Sequence, residues 1–132
     1  MKTYNKLIRD KIPFIIRESG DDCVFHEARD NEEFEEKLFD KLQEEIGEFR
    51  DEPSVEEFAD IMEVLEAIGH HFKIDLAQVK EVKISKKKER GGFRNKIILD
   101  MTKGGVVRDG SHVHINAGQK KLSKNFKTSG TK

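Results

Sequence analysis

Between residues 31 and 51 apolar side chains recur at Phe34, Leu38, Phe39, Leu42, Ile46 and Phe49, at spacings of three and four. That period predicts a long amphipathic helix, opened by Asp30 or Asn31 and broken by Pro53. A second helix is expected from Ser54 to about Phe72, with Phe58, Ile61, Met62, Leu65, Ile68 and Phe72 on its apolar side. Ser54 and Glu57 stand as S-x-x-E, the spacing of a capping box. The turn between the two is short, so they should pack as an antiparallel hairpin. Before them, DKIPFIIRES at residues 10 to 19 reads as a short helix, with Asp10 as cap, Pro13 near the first turn and Gly20 after its end. CVFHEA at 23 to 28 reads as a short extended segment. After the hairpin, Asp75 caps a further helix that ends before Gly91-Gly92, and FRNKIIL at 93 to 99 reads as a strand or extended arm.

The pattern predicts an all-α protein: a helical-hairpin bundle with a short N-terminal helix and a small extended C-terminal segment. Residues 1 to 101 form the expected domain. Residues 102 to 132 form an expected flexible tail, with a short hairpin around Asp109-Gly110 and disorder over the last fifteen residues.

Charge sharpens this division. The whole chain of 132 residues carries a net charge of −1, but residues 1 to 101 hold 18 bases and 25 acids, and residues 102 to 132 hold 7 bases and 1 acid. Between residues 31 and 66 there are 15 acids and 3 bases. That segment would repel a nucleic-acid backbone unless cations intervene, which argues against nucleic acid as the partner of the core domain. The longest apolar run is far short of a membrane span and the N-terminus lacks a signal-peptide core, so a soluble cytoplasmic protein is expected. Cys23 is the only cysteine, which excludes an internal disulfide and a thiolate zinc site; with no base beside it in sequence it reads as a small half-buried residue.

The acids of the hairpin fall into E-x-x-E, Glu45 and Glu48, and E-x-x-D, Glu57 and Asp60. Each residue advances about 100° around an ideal helix. Glu45 then falls inside the apolar stripe of the first helix and Glu48 at its edge, while Glu44 points to the opposite, solvated side. On the second helix Glu57 lies at the stripe margin and Asp60 further round; Glu63 and Glu66 lie on the far face. The first pair is near the end of one helix and the second near the start of the next. The hairpin therefore brings four carboxylates to one patch, with Arg50 as the one cation close in sequence. Such a patch raises its own pKa values or demands a cation, and an all-oxygen set suits Mg²⁺, with Mn²⁺ as the alternative. The competing reading is a solvated charged face, which the placement of Glu45 among apolar residues argues against.

EEIGEF followed by EFAD resembles the E-x-x-E…E-x-x-D signature of the all-α nucleoside triphosphate pyrophosphatases. YNKLIRDKIPFII at 4 to 16 and KKKERGGFRNKIIL at 86 to 99 are similar to the opening and closing blocks of the MazG-like, phosphoribosyl-ATP pyrophosphohydrolase-like house-cleaning subgroup. The resemblance covers about residues 3 to 100. It implies Mg²⁺-dependent cleavage of a nucleoside triphosphate between the α and β phosphates, giving monophosphate and pyrophosphate. It implies Glu45, Glu48, Glu57 and Asp60 as metal ligands, with Glu48 or Glu45 positioning the attacking water. It also implies a homodimer or homotetramer.

A triphosphate further requires cations, for which Arg9, Lys11, Lys86, Lys87, Arg90 and Arg94 are the candidates; Arg90-Gly91-Gly92 joins a bidentate donor to an open backbone. The simpler reading of that stretch is a basic helix end with a glycine cap. His112 and His114 read as one face of the tail hairpin, and His70 and His71 as a helix C-terminus favoured by its dipole. The basic tail has no counterpart in short members of the family. It favours the alternative function, a non-enzymatic helical dimer or adaptor whose tail binds nucleic acid or an acidic partner. A di-iron bundle is disfavoured because neither helix carries Glu-x-x-His.

Overall fold

The computed structural model describes residues 2–104. Four helices follow one another: α1 (Ile12–Glu18), α2 (Asn31–Asp51), α3 (Val55–His71) and α4 (Leu76–Arg90). No strand occurs among the described residues, so the class is all-α. The chain divides into two units after Val79. The tail hairpin expected around Asp109-Gly110 and the disorder expected at the end lie outside the described residues.

Local chemistry sets the helix limits. Asp30 caps α2 by accepting from the Glu33 backbone N–H at 2.8 Å. The Glu33 carboxylate reaches back to Arg29 N–H at 2.8 Å and holds His26 at 2.9 Å, which pins the irregular 23–28 segment to the helix start. These contacts, the Arg29 N–H first and His26 next, hold Glu33 below its ordinary value. Ser54 caps α3 through the Glu57 N–H. The α3 end is a Schellman turn: Ile74 N–H donates to Gly69 O, Lys73 N–H donates to His70 O, and Lys73 takes a left-handed φ of 58°. Asp75 accepts from Ala77 and Gln78 N–H to open α4.

Two local expectations are corrected. α1 begins at Ile12 after Lys11, with no side-chain cap bond, so Asp10 does not cap it; Pro13 in the first turn supplies the fixed φ instead. Of the strand or extended arm expected of FRNKIIL, the strand does not form: a turn closes through Lys96 N–H to Phe93 O, and Phe93, Ile97 and Ile98 stay exposed.

In the first unit, α2 and α3 pack together antiparallel, as ring contacts at both ends record. Phe34 at the start of α2 meets His71 at the end of α3, with centroids 5.1 Å apart, and Phe49 at the end of α2 meets Phe58 at the start of α3 at 5.7 Å. Leu38 (0% exposed) and Val64 (8%) form the buried apolar centre. The buried face is rotated from the apolar stripe read in sequence. Phe39 and Ile46 on α2, and Phe58, Met62, Leu65 and Phe72 on α3, stay about half exposed. Each helix thus uses one margin of its stripe against the other; along the remaining margin Phe58 leans on Phe49 and Phe72 on Phe39, and the side chains stay about half exposed. No described helix is long and apolar enough to cross a membrane.

Candidate metal centre

The rotation carries acids into the helix interface. Glu45 lies on the α2 turn that faces α3 and is only 5% exposed. Its Oε2 forms an ion pair with Lys41 Nζ at 3.1 Å, while Oε1 is buried with no hydrogen-bond partner. Across the interface, Glu57 and Asp60 are half-buried on the first turns of α3, and Glu57 Oε2 is likewise buried and unpartnered. One oxygen from each of Glu45, Glu57 and Asp60 fits within a 4.8 Å span. A second group of the same span comprises Glu44, Glu45 and Glu48. Glu45 belongs to both.

Glu45 thus lies with Glu57 and Asp60 across the interface and with Glu48 on its own helix; neither group holds all four of the predicted residues. Glu44 is the correction. Helical phase directs it away from α3, but it does not face open solvent. The N-terminal segment crosses that side of α2, where Lys6 Nζ meets Glu44 at 2.9 Å and Lys37 donates to the Asn5 carbonyl at 3.0 Å. Lys41 also approaches Glu44 at 3.6 Å. Burial acts to push Glu44 up, but the Lys6 hydrogen bond and the charges of Lys41 and Lys6 outweigh it and hold the group below its ordinary value. The Glu44 hydrogen bond correspondingly holds Lys6 up, against the opposing effect of its burial.

The view of the patch as nearly free of cations is corrected as well. Lys6, Lys41 and Arg9 all engage it, and Arg9 donates to Asp60 Oδ1 at 2.8 Å. Lys41 was legible, since it precedes Glu44 by three and Glu45 by four residues on one helix. Lys6 and Arg9 carry no such signal, because they reach the acids across 38 and 51 residues of sequence.

Charge at the site remains unbalanced. Five carboxylates meet three cations, which leaves two negative charges. Glu48, the most exposed of the five, registers the excess: the Glu45 charge first, then partial burial, then the Glu57 charge, push it above its ordinary value. A buried carboxylate oxygen without a partner is costly unless a cation completes it. The oxygen-only donor set, its span and the two orphaned oxygens fit a hard divalent ion.

The remaining phosphate-binding candidates are solvent-exposed. Lys11 is exposed at the N-cap of α1. Lys86, Lys87, Arg90 and Arg94 are exposed in the second unit. Gly91 acts as the C-terminal cap of α4, with φ 83° and its N–H donating to Lys87 O at 2.8 Å, so that N–H is already used. Of the two C-terminal histidines of α3, His71 packs inward, with Nε2 at 2.8 Å from Glu35 Oε2. Cys23 is half-buried and free.

Fold and site together define an all-α chain with an interhelical carboxylate cluster suited to a metal ion. No family model, curated protein or solved structure matches it.

Proposed function

We propose that this chain is a Mg²⁺-dependent nucleoside triphosphate pyrophosphohydrolase of the MazG-like, all-α type, acting in the cytoplasm to clear nucleotides to monophosphate and pyrophosphate. The observation that carries the reading is the buried, half-satisfied carboxylate of Glu45 set against Glu57 and Asp60 across a helix interface. A merely solvated acidic face has no reason to bury a charge there. The order of the three sequence blocks adds the reaction class.

In this reading Glu45, Glu48, Glu57 and Asp60 hold Mg²⁺, or Mn²⁺ in its place. When bound, the ion would supply positive charge to offset the negative charge on the phosphate oxygens. Glu48 is the exposed member of the set, which leaves it open to the attacking water as the proton acceptor. Lys41 pairs with Glu45 Oε2 and orients it. Arg9, Lys11, Lys86, Lys87, Arg90 and Arg94 supply cations for the triphosphate.

The half-exposed apolar margin of Phe39, Ile46, Phe58, Met62, Leu65 and Phe72 supports assembly as a homodimer or homotetramer, because a monomer would leave it in water. The experiment is pyrophosphate release from a panel of ribo- and deoxyribonucleoside triphosphates, with Mg²⁺ or with chelator. Mg²⁺-dependent release from at least one nucleotide is expected. No release from any of them at micromolar protein overturns the proposal.

A further inference from the structure

The cation on Asp60 does not come from its own helix or from α2. It comes from the N-terminal segment, where Arg9 stands just ahead of α1 and donates to Asp60 Oδ1 at 2.8 Å. Arg9 is more than half exposed, so this pair is open to exchange with solvent ions. The deeper acids of the same group are in a different position. Glu45 Oε1 and Glu57 Oε2 are buried and unpartnered, and Arg9 bridges to neither. Arg9 thus neutralises the outermost ligand of a three-carboxylate group whose inner oxygens stay unsatisfied.

A planar guanidinium has the geometry to pair with a carboxylate or with a phosphate, but with one of them at a time at a given edge. A divalent ion entering the group satisfies all three carboxylates together, which a single exposed guanidinium cannot do. We infer that Arg9 is an exchangeable counter-cation of Asp60: divalent metal competes with it for the carboxylate, and the displaced guanidinium becomes a donor to the phosphates of the bound nucleotide. Metal loading and phosphate capture are thereby coupled through the N-terminal segment. The inference rests on the metal reading of the site proposed above.

The coupling has a sign that a positioning role lacks. If Arg9 only oriented Asp60 for the metal, its loss would weaken metal binding. As a competitor, its loss strengthens metal binding and weakens nucleotide binding. The test uses the full chain and Arg9→Gln, with Arg9→Lys as the charge-retaining control. Mn²⁺ affinity is measured without nucleotide by paramagnetic resonance or calorimetry. A non-hydrolysable triphosphate analogue is then titrated in saturating Mg²⁺.

Arg9→Gln should bind Mn²⁺ about two- to fivefold more tightly than the natural chain, the range set by one exposed ion pair. It should bind the analogue at least about tenfold more weakly, as for loss of a charge-assisted hydrogen bond. Arg9→Lys should remain near the natural chain in Mn²⁺ affinity while recovering only part of the analogue affinity. Equal or weaker Mn²⁺ binding by Arg9→Gln overturns the exchange and leaves the metal site standing. Absence of Mn²⁺ binding by the natural chain overturns the metal reading and the exchange together.

Discussion

Replacing Glu45 by Gln keeps the shape of the side chain and removes its charge, and two opposite effects should follow. Without metal, the variant loses its charge-assisted contact with Lys41 at 3.1 Å, worth about 1.5–3 kcal/mol. It also loses repulsion from Glu44 and Glu48, whose oxygens share its 4.8 Å span. At that separation one like-charge pair costs about 1 kcal/mol in water and about 3.5 kcal/mol at the effective dielectric near a protein surface. Relief from two such neighbours offsets the lost contact, so the metal-free variant should fold with a melting temperature equal to or above that of the natural chain. With metal the order reverses. At a concentration one hundred times Kd, a divalent ion stabilises the natural fold by about 2.7 kcal/mol. A ten- to hundredfold loss of affinity leaves about 1.4 to 0.4 kcal/mol of that. For a domain of this size each kcal/mol moves the melting temperature by about 4–8 °C. Thermal melts of both proteins across a Mg²⁺ titration read the effect directly. A Glu45→Gln variant that retains the full Mg²⁺-induced rise would refute the placement of Glu45 at the metal.

Glu48 gives a pH test. Its folded pKa lies above the ordinary 4.5, so its contribution to stability is present below that value and is lost as pH rises through the raised one. Metal-free Glu48→Gln should therefore gain stability over the natural chain at pH 8 and lose that advantage at pH 4; an equal difference at both, by urea unfolding, would contradict the assignment. Leu38→Ala should cost about 2–5 kcal/mol in chemical denaturation, since Leu38 is the fully buried side chain between α2 and α3. Lys73→Gly should stabilise by about 1 kcal/mol, because the Schellman turn holds Lys73 in a left-handed conformation that glycine adopts without strain; a loss of stability would show that the Lys73 side chain contributes more than its backbone strain costs.

The helices were legible because their signals are local. Asp30, Ser54 and Asp75 cap where their sequence positions predict, and Pro53 separates α2 from α3. The approach of Glu45 to Glu48 on its own helix, and to Glu57 and Asp60 across the turn, followed from helical phase and one short turn. What phase could not give was the rotation of each helix about its own axis. A stripe as wide as that of α2 offers two margins to a partner, and only packing decides that Leu38 and Glu45 turn inward while Phe39 and Ile46 stay outside. Nor could it give the path of the N-terminal segment. Lys6 and Arg9 reach the acids through tertiary contacts, so helical phase alone places Glu44 on a solvated face although Lys6 covers it. Of the strand or extended arm expected from FRNKIIL, the strand had the composition but no neighbour to pair with among the described residues.

The central claim is that the carboxylates between α2 and α3 hold a metal ion that turns over a nucleoside triphosphate. Its most direct measurement is product analysis after incubation with one preferred triphosphate, in Mg²⁺ and in chelator, for the natural chain and Glu45→Gln prepared together. The account predicts monophosphate and pyrophosphate in equal amounts, only with Mg²⁺, and at least about a hundredfold slower in the variant. Diphosphate and inorganic phosphate as products, or a rate indifferent to Mg²⁺ and to Glu45, would contradict it.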